Sequence, residues 1–133
     1  MGGFVKLKKY KKGELICRED TLGGEMYIII SGRARVYKMI DGTNIDLAWE
    51  EEGDFFGEIS LLINCPRTAS VVAAEDTEIL VISKTSFIDK IVSDPRFALK
   101  MATTMATRLE EAHKVISRLE GERKSLEMLY RTK

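Results

Sequence analysis

One histidine, two cysteines and two prolines are spread over the 133 residues. Each scarcity removes a class of function. Catalytic and structural metal centres draw on several imidazole or thiolate ligands, and one His with the distant pair Cys17 and Cys65 does not supply them. No metal site is expected. The cysteines also lack the density of a secreted disulfide scaffold, so both are expected to be reduced and structural. Ser60 and Ser70 have no second histidine to recruit as a base, which argues against a serine nucleophile. Charge of one sign is missing too: 21 Lys plus Arg balance 21 Asp plus Glu. No whole-molecule field therefore draws in nucleic acid or an anionic membrane. Long apolar runs are absent, and Tyr27 to Ile30 is far too short to span a bilayer. Phe4 and Val5 are followed by Lys6, Lys8 and Lys9, which spoils a signal-peptide core. Lys6 also stands where a myristoylation motif after Met1-Gly2 needs Ser or Thr. The expected setting is cytoplasmic, with neither nucleic acid nor membrane among the partners of this chain.

What is present is a normal globular mix, 44% hydrophobic and 32% charged, in a length that suits one structural domain. Glycines punctuate the first two-thirds about every ten residues, the turn spacing of an all-β sandwich or barrel. Between them lie strand-like runs at Leu15–Cys17, Met26–Ile30 and Ala34–Ile40. Ile45, Leu47 and Trp49 alternate with Asn44, Asp46 and Ala48, the period of a half-buried strand. Asp41-Gly42 marks the hairpin before it. Two more strands are predicted at Thr68–Ala73 and Glu78–Ile82.

The last third changes period. Ser83 can cap a short helix that places Phe87, Ile88, Ile91 and Val92 on one face. Asp94-Pro95 then supplies an N-cap and a first-turn proline, so a second helix should start there. It meets no further proline and, run to Arg131, would be about 55 Å long. Along it Ala102, Met105, Leu109, Ala112, Ile116, Leu119, Arg123, Leu126 and Tyr130 are spaced by three and four residues in turn. That is a heptad seam, expected to pair two copies as a coiled coil, with Arg123 fixing register. The alternative is a helix packed only on its own barrel, which a pattern this long outruns.

Phe55 to Val71 breaks the strand rhythm with FFGEISLLINCPRTASV. A short helical turn after Gly57 aims free backbone N–H groups outward, toward an anion. Arg67 returns at the end of the loop with planar donors suited to phosphate. Glu58 would repel a bare phosphate, and fits only a ligand that also offers hydroxyls. Phe56-Gly57-Glu58, eight intervening residues, then Arg67-Thr68-Ala69-Ser70 resembles the phosphate-binding cassette of the cyclic nucleotide-binding domain family. Lys12-Gly13-Glu14, Met26-Tyr27, Ser31-Gly32 and Gly53-Asp54 are similar to other signposts of that family.

The resemblance implies a fold, mainly β with C-terminal α: an eight-stranded antiparallel jelly-roll β-barrel followed by a short helix and a long dimerisation helix. Residues 1–94 would form the barrel with its short helix, and 95–133 the long helix. It implies a cAMP or cGMP ligand held by Gly57, Glu58, Ile59, Ser60, Arg67, Thr68 and Ala69. Glu58 would accept the ribose 2′-hydroxyl and Arg67 would pair with the cyclic phosphate. The base is met in relatives by the C-terminal helix, where Ala112 and His113 stand here; His113 equally suits a solvated edge of the coiled coil. The function expected is a sensor without catalysis or cofactor, working as a homodimer through Met105, Leu109, Ala112, Ile116, Leu119 and Leu126. Binding would shift Leu61 and Leu62 against the helices at Phe87, Ile91 and Phe97. The alternatives are a ligand-free scaffold of the same fold, with Glu58 and Arg67 as a simple ion pair, or the effector-binding part of a transcription regulator. Lys6, Lys8, Lys9, Lys11 and Lys12 face a stretch rich in Asp and Glu, from Asp41 to Glu58, as two solvated faces or a docking surface.

Overall fold

The computed structural model describes residues 2–131. Its strands are β1 (Val5–Tyr10), β2 (Leu15–Cys17), β3 (Glu25–Ser31), β4 (Arg33–Ile40), β5 (Thr43–Glu51), β6 (Phe55–Phe56), β7 (Ser70–Ala73) and β8 (Thr77–Ser83). Its helices are α1 (Glu58–Leu62), α2 (Lys84–Ser93) and α3 (Pro95–Arg131). The strands form two four-stranded sheets, ordered β1-β8-β3-β6 and β2-β7-β4-β5. Every pairing is antiparallel. This is the mainly β architecture with eight strands and a long C-terminal helix that the sequence leads one to expect.

The core lies on the inner faces of the sheets. Ile29, Ala34, Ile79 and Val81 are almost fully buried there, with Tyr10, Tyr27, Phe56 and Val71 around them. Burying a branched aliphatic side chain of this kind contributes about 1.5–3 kcal/mol. β8 and β3 sit inside their sheet, between β1 and β6, and each contributes two residues to this cluster; Thr77 at the start of β8 is buried as well. The Thr77 hydroxyl is satisfied locally, donating to the Glu75 carbonyl at 2.8 Å.

Three details differ from the sequence reading, each for a physical reason. Phe55 and Phe56, read as part of the cassette, pair with Ile28 and Tyr27 as β6. The strand predicted from Thr68 starts only at Ser70. Ahead of it the Arg67 amide donates to the Thr21 carbonyl and the Thr68 carbonyl accepts from Lys38 Nζ, so this backbone serves a loop and not a ladder. Finally, β5 forms, but Ile45, Leu47 and Trp49 are exposed at 40%, 52% and 43%, while Glu50 is its buried residue. β5 ends its sheet, and from Thr43 to Trp49 its residues are exposed whichever face they present, so the edge position and not the alternation sets their exposure. The Trp49 ring is covered from outside by the Arg33 guanidinium, 4.2 Å from its centroid.

Backbone contacts divide the chain into two compact units, one ending at Asp89 and the other beginning at Lys90. The predicted caps are present. Ser83 Oγ accepts from the Ser86 amide at 3.3 Å and also from Phe4 at 2.8 Å. Asp94 Oδ1 accepts from the Arg96 and Phe97 amides at 3.1 and 3.3 Å, directly before Pro95. α3 runs unbroken for 37 residues. Among the described residues no helix is long and apolar enough to cross a membrane.

Candidate functional site

Gly57 separates β6 from α1 with a φ of 87°, a region in which residues bearing a Cβ are strained. A Cβ here would also lie 2.8 Å from Arg67 Nη1 and 3.2 Å from the Glu25 carbonyl. Glycine thus lets the chain turn and lets Arg67 close on it. α1 follows at once, burying Glu58, Ser60 and Leu61 and leaving Ile59 exposed.

Arg67 is the centre of the site and is only 5% exposed. Nη1 donates to the Gly57 carbonyl at 3.0 Å and to Ser60 Oγ at 2.7 Å, and Nη2 donates to the Glu25 carbonyl at 2.7 Å. The guanidinium lies over Tyr27, 5.4 Å from the ring centroid, and Tyr27 stacks on Phe56 with centroids 4.9 Å apart. The result is a column of Phe56, Tyr27 and Arg67 that fixes the cation from one side. Burial pushes the Tyr27 phenol up to about 12, although the Arg67 charge pulls the other way, so the ring stays neutral at any ordinary pH. Burial likewise raises the Cys17 thiol, which suppresses its thiolate.

The backbone of Arg67 is held as firmly as its side chain. Its amide donates to Thr21 at 2.8 Å and its carbonyl accepts from Asp20 at 2.9 Å, so the β2–β3 loop is clasped to it. A cavity of about 330 Å³ opens on that side, lined by Arg67, Tyr27, Glu25, Gly23, Leu22 and Cys17 among others. Gly57, Glu58 and Ser60 do not line it, so Arg67 stands between this cavity and the cassette.

Of the predicted site residues, Gly57, Ser60 and Arg67 are joined by hydrogen bonds. Glu58 is buried at 4% exposure beside them in sequence. Thr68 is exposed and Ala69 partly buried in the bend after Arg67. Ala112 and His113 are exposed on α3, in the second compact unit. Sequence reasoning did not assign the Glu25 carbonyl or the clasp by Asp20 and Thr21 to the site, because these are backbone contributions that side-chain spacing does not announce. The Gly23-Gly24 pair was the available signal.

Lys38 braces the outer side of the loop. Its Nζ lies 2.9 Å from the Thr68 carbonyl and 2.9 Å from Glu19 Oε2, while Glu19 Oε1 accepts from the Met39 amide at 3.1 Å. The bond to Lys38 holds the Glu19 carboxyl below its usual range and, in return, holds the Lys38 ammonium above its own. A depressed carboxyl contributes stability that is present above its unfolded pKa and lost as pH falls through the folded one; the raised ammonium contributes stability lost only as pH rises through its folded value. The brace is therefore at full strength across neutral pH. Glu19→Gln keeps an acceptor but removes the charge, so it should lower the thermal midpoint at pH 7, and the difference from the unmodified protein should shrink as the carboxylate range is entered from above. A difference that stays constant down to acid pH would show that charge is not what holds the brace.

The profile of the cyclic nucleotide-binding domain family matches residues 7–94. The chain is 34% identical over 110 residues to the cyclic AMP receptor protein of Thermus thermophilus, across 82% of this chain and 51% of that protein. It is 38% identical over 74 residues to the cAMP-dependent protein kinase regulatory subunit of Mycosarcoma maydis, across 56% of this chain and 14% of the subunit. Among solved structures, the Thermus thermophilus catabolite activator protein superposes with a TM-score of 0.81 at 33% identity, covering 87% of this chain and 55% of that one. The cAMP-bound EAL enzyme Bd1971 gives 0.64 at 28% identity, covering 84% and 30%. The chain thus spans about half, or less, of these relatives. With the match covering most of its length and the cassette residues assembled around Arg67, the chain belongs to the cyclic nucleotide-binding domain family.

Proposed function

We propose that this chain is a non-catalytic sensor module that binds cAMP or cGMP in the Gly57–Ala69 cassette and signals through its C-terminal helix. The buried Arg67 guanidinium carries this reading. It donates to two carbonyls and a hydroxyl, all neutral. A buried cation gains most from a partner of opposite charge, and a cyclic phosphate supplies one in the planar geometry that a guanidinium matches. Glu58 takes the ribose 2′-hydroxyl in this reading, Ile59 and Ser60 border the phosphate, and Thr68 stands at the exposed rim. Similarity to a cyclic AMP receptor protein and to a cAMP-dependent protein kinase regulatory subunit makes cAMP the first ligand to test. Ala112 and His113 remain the candidate base contacts. The module works as a homodimer in the cytoplasm, paired along α3.

Calorimetric titration with cAMP and cGMP tests the proposal, and binding of neither nucleotide would reject it. The 2′-deoxy analogue of whichever binds should be at least about tenfold weaker, since a hydrogen bond to a buried carboxylate is lost and nothing replaces it. Equal affinity for the two forms would remove Glu58 from its assigned role.

A further inference from the structure

Gly23 lies in the β2–β3 loop, more than forty residues before Arg67 in sequence, and touches that residue's charged end. A Cβ built at Gly23 would fall inside contact distance of Arg67 Nε, Nη2 and Cζ. The same atom built at the neighbouring Gly24 would meet nothing within 4 Å. Two adjacent glycines thus face opposite circumstances: one is pressed against the guanidinium and the other stands in open space.

The space at Gly23 is part of the seat that fixes the guanidinium. The Glu25 carbonyl, two residues on, accepts from Nη2, and Tyr27, two further on, lies beneath the cation. Asp20 and Thr21, on the other side of Gly23, hold the Arg67 backbone. One stretch of chain therefore binds Arg67 at both ends of its side chain, and a bare Cα at position 23 is what allows the fit. A methyl group there meets the far end of a flexible side chain and not backbone. The yielding element is then the guanidinium, which must leave the Gly57 carbonyl, Ser60 Oγ and the Glu25 carbonyl, while the sheets stay as they are.

We infer that Gly23 is a positioning residue for the ligand-binding cation: it acts through Arg67 and sets where the guanidinium meets the phosphate. The inference rests on the cyclic nucleotide reading of the cassette and adds to it a determinant outside the cassette.

The experiment compares the full chain with Gly23→Ala and Gly24→Ala in titrations with cAMP and cGMP. Gly23→Ala should bind about ten- to a hundredfold more weakly, the worth of hydrogen bonds to a charged group. Gly24→Ala should stay within about twofold of the unmodified protein, the scatter of a site with no shared contacts. Urea unfolding supplies a readout that needs no ligand. Gly23→Ala should lower the midpoint in the unmodified protein but not in an Arg67→Ala background, where there is no guanidinium to displace. Failure of the unmodified chain to bind either nucleotide would reject the proposed function alone, and the unfolding comparison would still decide the role of Gly23. Unchanged affinity in Gly23→Ala, or equal midpoint losses in both backgrounds, would overturn the inference. If Gly23→Ala does not fold, the double variant must, and a double variant that also fails to fold overturns it as well.

Discussion

Replacing Arg67 by alanine is expected to weaken cyclic nucleotide binding by about 2–5 kcal/mol, the range for deleting one member of a buried hydrogen-bonded charge pair. The size of the effect follows from the burial of the guanidinium, because a charge shielded from water interacts with a phosphate far more strongly than a surface cation does. The fold should survive. The amide of residue 67 still donates to Thr21 and its carbonyl still accepts from Asp20, whichever side chain it carries. The Gly57 and Glu25 carbonyls and Ser60 Oγ lose their donor, but a cavity already opens at this position, so water can take its place. Arg67→Lys retains the charge without the planar fork, and should recover only part of the loss. Calorimetry reads the affinities and urea unfolding reads the fold. Unchanged affinity in Arg67→Ala would remove the cassette as the binding site.

The second large effect concerns assembly. Ile116→Asp combined with Leu119→Asp is expected to convert a dimer into a folded monomer that still binds ligand. Leu109, Ile116, Leu119 and Leu126 are 58%, 57%, 52% and 57% exposed on the single chain, an apolar stripe facing water. Covering each with its counterpart contributes about 1.5–3 kcal/mol, enough in sum to offset the entropy of association. Two aspartates per helix place four carboxylates along one seam, and desolvating them costs more than the stripe returns. Arg123 does not oppose pairing in this way, since it is already joined to Glu120 at 2.8 Å and to Glu127 at 2.6 Å on its own helix. Its charge thus enters the seam already partnered. Size exclusion with light scattering measures the result. A monomeric mass for the unmodified protein at roughly tens of micromolar would overturn the seam.

The parts of this protein that could be read from sequence are those governed by local rules. Asp94-Pro95 names the start of α3 because a carboxylate and a proline are each suited to the first turn whatever the helix packs against. The proximity of Gly57, Ser60 and Arg67 was legible through a family resemblance in residue type and spacing, and hydrogen bonds join the three. What escaped notice depends on the sheets coming together. Alternation in β5 announces a strand, but whether Ile45, Leu47 and Trp49 are covered depends on where that strand lies, and at the end of its sheet it leaves them exposed. The grip on Arg67 by Glu25, Asp20 and Thr21 uses backbone groups that every residue possesses, so no residue type could point to it.

The position of Trp49 determines what light can report about this molecule. It is the sole tryptophan, and it sits on an edge strand with the Arg33 guanidinium across its ring. Emission excited at the red edge of the protein spectrum therefore comes from the β4–β5 hairpin, whose indole senses its cationic cover and the surrounding water. Tyr27, stacked between Phe56 and Arg67, is the chromophore at the cassette, and it absorbs where the other tyrosines do. A shift in tryptophan emission during a ligand titration would thus register a rearranged hairpin, and a silent tryptophan is compatible with a filled site.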